Sequence, residues 1–484
     1  MDRGITTWGG LPRLFFGASD DITPAISPSL SPSADTAHPV QPGGSQPRIL
    51  VTHALVAICV IVFLAMLLSR VSPTHPSSQQ LLRWGANFGP LTLGGQWWRL
   101  LSSVFLHIGV VHLAVNMWCL WDLGSFAERI YGRATFLVIY LVTGVAGAMC
   151  SLAWHPFAVE AGASGAIFGI AGALIASFYF GNLPFPRQSI KAALFSVVAF
   201  AGYNLFVGML SSAAGNAAHI GGLVSGLVLG LLLAQFPGRR TVLMGAGLAI
   251  VLGCLLLART NGYVVPAEQG RHALTSGQSD GAIRALTESV RKNPKFAEGY
   301  FLLGQAYMQK QQFPAAETAY RHALMLKPKA SDVGYQLGMA VAAQGRAHDA
   351  WAVFSDLAKS DPASPDAQMG IGVAAELAGD YQLALQAFRR AAKLDPRNAQ
   401  ASANLGLTAL RLQKNDEAIS AFSTCVALQP DNAGALLNLA IAYKAKGMEK
   451  EAETAYQRAL DLSQKKSSFL PESPVPNSFV APGN

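Results

Sequence analysis

Apolar and polar positions divide the chain into three stretches. Residues 1–48 are rich in Ser, Pro, Gly and Thr and have no apolar periodicity, so they read as a disordered lead-in. The first apolar run begins only near Ile49, which argues against a cleavable signal peptide. From 49 to 260 the pattern is dominated by long apolar stretches, each near the ~20 residues a helix needs to cross a bilayer. They predict seven spans, at 49–69, 110–127, 134–154, 164–181, 190–210, 217–236 and 241–258. Between the first two lies a long segment, 70–109, with Trp84, Trp97 and Trp98 beside Arg83 and Arg99. Aromatic and basic residues together suit a membrane–water interface, and Trp98 and Arg99 read as anchors there.

The third stretch, 263–464, alternates polar and apolar positions with a fixed period. Pro294, Pro328, Pro362, Pro396 and Pro430 stand 34 residues apart, and small and aromatic positions recur between them. One unit reads Tyr300, Leu303, Gly304, Tyr307, Ala316, Tyr320, Ala323, Pro328. The pattern resembles the tetratricopeptide repeat, in which two antiparallel helices per unit stack into a solenoid. Five full units are expected from 297 to 464, after a degenerate one marked by Gly270, Ala282 and Pro294. The second unit departs from the pattern, with Gly334 at an aromatic position and Leu357 where alanine is usual. Residues 465–484, rich in Pro and Ser, read as a disordered tail. The expected fold class is therefore all-α: a polytopic membrane bundle followed by a helical solenoid.

Composition sharpens this picture. Charged residues make up 13% of the 484-residue chain and apolar residues 51%, about half the charge of an ordinary soluble protein. Residues 49–262 hold ten Lys/Arg against Asp122, Glu128 and Glu160, which is +7 of the total +8. The basic pI of 9.2 thus reflects charges flanking apolar runs, not a nucleic-acid surface. Every second gap is basic: Arg129 and Arg133, then Arg187 and Lys191, then Arg239 and Arg240. Those gaps are expected on the cytoplasmic side. The N-terminus is then inside and the repeats outside, in a multi-pass protein of a bacterial inner membrane. Five cysteines (Cys59, Cys119, Cys150, Cys254, Cys425) show neither disulfide nor zinc spacing and read as packing residues. No metal or other cofactor is expected.

Topology then selects the chemistry. Ser164 opens the fourth span and His219 is the third residue of the sixth; both spans start outside, so the two lie at similar depth. The second span also starts outside and carries His112 and Asn116, four apart on one helix face. A serine needs a base to become a nucleophile, and a tetrahedral intermediate needs donors for its oxyanion. Ser164 and His219 suit the first roles, and His112, Asn116 and the Ser164 N–H the second. Asp122 lies six residues past Asn116, ~9 Å deeper, and Glu160 falls in an outer loop, so a dyad without an acid is expected. Taken singly, each feature has a blander reading: Gly-Ala-Ser-Gly as a helix-packing surface, His112 with Asn116 as interhelical bonding, and His107 as structural. Gly165 and Gly169 after Ser164, and Gly222, Gly226 and Gly230 after His219, predict close approach of the fourth and sixth spans.

Trp98-Arg99, His112-x-x-x-Asn116, Gly162-Ala163-Ser164-Gly165 and Ala218-His219-x-Gly-Gly222, in this order, resemble the rhomboid intramembrane serine proteases over roughly residues 50–236. The resemblance implies a six-helix core, here with a seventh span, and cleavage of other membrane proteins in or near their spanning helix. It implies Ser164 as nucleophile, His219 as base, and His112 and Asn116 at the oxyanion site. Many bacterial members have tyrosine where Phe168 stands, packed on the histidine; Phe168 keeps the ring and loses the hydroxyl. The run Gly124-x-x-x-Glu128-x-x-x-Gly132 also fits the family, in a structural role. The expected partners are transmembrane substrates, the lipid bilayer, and a protein or peptide bound by the repeats. The alternative is a catalytically silent relative that escorts membrane clients through its repeats, although such members usually lose the Ser or the His.

Overall fold

The computed structural model describes residues 49–181, 187–211, 213–236 and 239–467. The expected disordered segments lie outside these residues, except that the last helix runs to Ser467. Among the described residues there is no strand, only one isolated antiparallel bridge between Asn87 and Glu160. Two compact units divide after Glu268.

Among the described residues the first unit contains seven long helices: α1 (Val51–Leu68), α2 (Val110–Tyr131), α3 (Arg133–Trp154), α4 (Ser164–Phe180), α5 (Arg187–Ser211), α6 (Ala213–Gln235) and α7 (Arg239–Thr260). Among the described residues, α1, α2, α3 and Asn216–Gln235 of α6 are long and apolar enough to cross a bilayer. The apolar helix α4 has 17 residues, ~25 Å against the ~30 Å of a bilayer core. It is the centre of the unit, buried along nearly its whole length.

Small residues put it there. A β-carbon at Gly222 would overlap the Gly165 carbonyl, and one at Gly226 the Gly169 carbonyl. At Gly230 it would stand 2.5 Å from the Ala173 oxygen. Thus α4 and α6 touch backbone to backbone over two turns, the close approach that small residues permit where lipid offers no hydrophobic drive. Helix α3 joins the pair: a β-carbon at Gly147 would sit 2.7 Å from the Ala218 oxygen.

The Gly124–Glu128–Gly132 run has a clear physical role. Glu128 is 5% exposed and accepts hydrogen bonds from the backbone N–H groups of Leu50 (2.9 Å), Val51 (3.0 Å) and Thr52 (2.8 Å) and from the Thr52 hydroxyl (2.9 Å). It satisfies donors that a helix start leaves unpaired, and places negative charge at the positive end of the α1 dipole. Gly132 takes φ +78°, a turn between α2 and α3 that a side chain would strain.

The second unit is an array of helix pairs; the first pair is Val264–Thr275, whose opening residues precede the division, with Ser279–Lys292, and the last is Ala433–Ala445 with Glu449–Ser467. The spaced prolines fall in the turns between pairs. Tyr320, Phe354, Phe388 and Phe422 are fully buried. Each lies over a glycine of the preceding helix: Gly304, Gly338, Gly372 and Gly406. A β-carbon at Gly304 would stand 2.5 Å from the Tyr320 ring, so glycine and ring are one packing unit, present in four successive repeats. The irregular second repeat compensates internally. Leu357 reaches toward Gly334, with its Cδ1 3.7 Å from where a β-carbon would be, so the larger leucine fills space left by the missing aromatic.

Candidate active site

Segment 70–109 supports the site from one side. Arg99 is 7% exposed. Its guanidinium donates to the carbonyls of Leu82 (2.8 Å) and Ala86 (3.0 Å) and to Gln96 Oε1 (2.7 Å). A planar fork of donors suits several carbonyls at once, and Arg99 clamps this segment from within. Trp98, 54% exposed, remains on the surface with the Arg99 guanidinium 4.7 Å from its ring centre.

Ser164 opens α4, and the turn before it requires Gly162 at φ +150°. There a β-carbon would lie 2.8 Å from His112 Cε1 and 3.2 Å from His112 Nε2. The His112 ring is thus held over the turn that presents Ser164. The Ile108 N–H donates to His112 Nδ1 at 3.4 Å. With Nδ1 accepting, the neutral ring carries its proton on Nε2, the nitrogen facing the Ser164 turn. Asn116 is 5% exposed and donates from Nδ2 to the His112 carbonyl at 2.8 Å, leaving its second amide hydrogen.

Phe168, one turn past Ser164, stacks flat on His219 with ring centres 4.3 Å apart and planes 7° apart. This fixes the imidazole plane while adding no hydrogen bond. His219 Nδ1 is buried with no hydrogen-bond partner, and no Ser164–His219 hydrogen bond occurs among the described residues.

Two cavities meet at these groups. One of about 310 Å³ is lined by Ser164, His112 and His219 together with Asn87, Ser103, Gly144, Ala148, Glu160, Gly162, Gly165 and Ala218. The other, about 120 Å³, is lined by Ser164, His112, Asn116, Val115, Cys119, Ile167, Phe168, Phe200 and His219. All four residues singled out for chemistry therefore share one place, although they come from three helices. A larger apolar cavity of about 780 Å³ between α3, α6 and α7 holds none of them. Asp122 lines neither of the first two cavities. Among the described residues no three His, Cys, Asp or Glu side chains are grouped to hold a metal ion.

Two further residues bear on the site. His107 is fully buried and packs edge-on against His112, ring centres 5.5 Å apart. Burial pushes its imidazole down to about 3, so it stays neutral and braces His112 without repelling a nearby cation. Glu160 lies in the loop before α4. There it lines the cavity of about 310 Å³, four residues before Ser164. Burial pushes its carboxyl up to about 7, with the Ser151 hydroxyl opposing the rise. The only sequence signal for it was its position four residues before Ser164.

Comparison with known proteins matches the chain to a family. The rhomboid domain family matches residues 94–236, and the tetratricopeptide repeat family matches 268–332, 335–399 and 403–467. Rhomboid protease GluP of Bacillus subtilis is 30% identical over 285 residues, covering 57% of this chain and 55% of that protein. Rhomboid protease AarA of Providencia stuartii is 30% identical over 247 residues, covering 47% of this chain and 86% of that protein. The chain thus spans nearly all of the second relative and only about half of the first. The crystal structure of MamA is 27% identical, with 34% of this chain and 98% of that one covered and a TM-score of 0.32. By its match over most of a rhomboid relative, and by its bundle of apolar helices followed by helical repeats, the chain belongs to the rhomboid family of integral membrane proteins and carries a run of tetratricopeptide repeats.

Proposed function

We propose that the membrane unit is an intramembrane serine endopeptidase working through a Ser164–His219 dyad. The observation that carries this reading is that Ser164, His112 and His219, from three different helices, line both cavities at one point. His219 Nε2 takes the proton of the Ser164 hydroxyl as its oxygen attacks the scissile carbonyl. The oxyanion is met by the Ser164 N–H, His112 Nε2–H and the free amide hydrogen of Asn116. His219 then passes its proton to the leaving amine. Water entering the cavity of about 310 Å³ then gives a proton to His219 and attacks the acyl carbon, and the Ser164 oxygen leaves with the proton that His219 returns. His219 Nδ1 has no acid against it, in keeping with a dyad. The Ser–His hydrogen bond forms with substrate, as catalytic bonds that are long in the free enzyme often do.

The substrates of this reading are transmembrane proteins cut in or near their spanning helix. The alternating basic gaps support a cytoplasmic N-terminus and extracytoplasmic repeats in a bacterial inner membrane. The repeats then bind a protein or peptide on the side where Ser164 and His219 open, and recruit substrate or a partner. The test is cleavage of a labelled single-span substrate by the purified protein, wild type against Ser164→Ala. Cleavage lost in the variant supports the dyad, and equal cleavage refutes it. No cleavage by either across several substrates leaves the silent escort as the better reading.

A further inference from the structure

The repeats hold a cavity that the proposed chemistry does not use. It measures about 400 Å³ and opens between the helices Ala347–Ser360 and Tyr381–Leu394, with Pro365–Leu377 behind them. Trp351, Ile371 and Leu383 give it an apolar lining, and Trp351 is 43% exposed. Lys359 and Arg390 also line it, and no carboxylate does. Lys359 is paired with Asp356 at 2.8 Å. Arg390 has no ion pair or hydrogen bond among the described residues. Gln368 lines the same space and is 9% exposed, and its side-chain amide has no hydrogen-bond partner among the described residues.

The repeat supplies its own comparison. In the first full unit the corresponding positions are Tyr300 and His322, whose rings stack with centres 5.2 Å apart and planes 15° apart. Two repeats on, the same positions are Gln368 and Arg390, and a cavity stands there. A buried amide left without a partner is costly, and a ligand that supplies the partner recovers that cost. An aromatic ring entering the cavity is buried against Trp351, Ile371 and Leu383, with the Arg390 guanidinium free to lie over its face. A carboxylate beside the ring meets two cations and no acid in the wall to repel it. The Gln368 amide, both donor and acceptor, suits a peptide backbone. A nucleic acid also offers rings beside negative charge. Residues 263–464, however, hold 21 Lys/Arg against 20 Asp/Glu, without the basic excess that binds phosphates.

Resting on the reading that the repeats bind a protein or peptide, we infer that this cavity receives a peptide segment of a partner protein in which an aromatic side chain stands beside Asp or Glu. The ring takes the place that Tyr300 holds two repeats earlier, the carboxylate meets Arg390 and Lys359, and Gln368 bonds the peptide backbone.

The test selects phage-displayed random linear peptides on the full chain in detergent, wild type beside Gln368→Tyr and Arg390→Glu. Wild type enriches Phe, Tyr or Trp next to Asp or Glu. Gln368→Tyr, which rebuilds the arrangement of the first repeat, loses that enrichment. Arg390→Glu, at an exposed position, keeps the aromatic residue and exchanges the acid for Lys or Arg. In fluorescence anisotropy, a labelled Gly-Ser-Phe-Asp-Ser-Gly peptide binds wild type about 10- to 100-fold more tightly than its Phe-to-Ala version, the worth of burying the ring. Selected peptides without the aromatic–acid pair, or a pair that survives both variants, overturn this site and leave the repeats as peptide receptors. Wild type that selects no peptide overturns both. Polyuridylate that binds wild type and is lost in Gln368→Tyr assigns the cavity to nucleic acid and overturns the peptide.

Discussion

Gly222→Ala is the sharpest single perturbation of the site, because one backbone contact fixes the distance between nucleophile and base. Gly222 follows His219 by three residues, and Gly165 follows Ser164 by one. A β-carbon at Gly222 would lie 2.8 Å from the Gly165 carbonyl carbon and 3.2 Å from its Cα. Carbon–carbon contact is comfortable at about 3.5–4.0 Å, so α4 and α6 must part by about 1 Å at this level. Overpacking of this kind costs about 1–3 kcal/mol of stability, and a 1 Å misplacement of catalytic groups costs about 10²-fold in rate. The control is Gly230→Ala, on the same helix pair but eleven residues beyond His219, where a β-carbon would lie 2.7 Å from Ala173 Cα. Both variants should unfold at lower temperature in detergent, by similar amounts. Only Gly222→Ala should lose about 10²-fold in cleavage of a single-span substrate measured below both midpoints. If Gly222→Ala cuts as fast as Gly230→Ala, the helix contact does not set the reacting geometry and the argument fails.

Three further outcomes follow from the same geometry. His112→Ala removes an oxyanion donor and should lower kcat by about 10²–10³-fold while Ser164 still reacts with a fluorophosphonate; a full-rate variant would place the oxyanion elsewhere. Glu128→Ala leaves three N–H groups at the start of α1 without their partner and should destabilise the protein by about 3–5 kcal/mol, with Glu128→Gln milder, read as thermal unfolding in detergent. In the repeats, Gly372→Ala drives a β-carbon toward the buried Phe388 ring, 2.6 Å from Cδ1. It should cost about 1–3 kcal/mol and raise hydrogen exchange in Pro365–Leu377 and Tyr381–Leu394 of the full chain, whereas unchanged exchange would mean the ring gives way freely.

Much of this architecture could be read directly from residue pattern. Helical repeats announce themselves because each unit has to solve the same packing problem, so the proline turns and the glycine–ring pairs return every 34 residues. Ser164, His219, His112 and Asn116 were also visible, as polar groups in apolar runs whose spans begin on one side. The surroundings of Arg99 and Glu160 are not legible in the sequence, for a shared reason. Both lie in connecting segments, where neither hydropathy nor period says which way a side chain turns. Nothing in the pattern says that the Arg99 guanidinium is buried against carbonyls, or that Glu160, from its loop, lines the cavity of about 310 Å³ with Ser164.

The sequence alone thus determined the elements, the order of the two units and the set of polar groups available for chemistry, because hydrophobicity and repeat period are local properties of the chain. Only the tertiary structure decided how those groups are used. It set the His112 ring over the Gly162 turn, the Phe168 ring flat on His219, and Glu160 in the cavity wall. These depend on backbones meeting at glycine and on loops tied by long-range hydrogen bonds, contacts between residues tens of positions apart that no local pattern encodes.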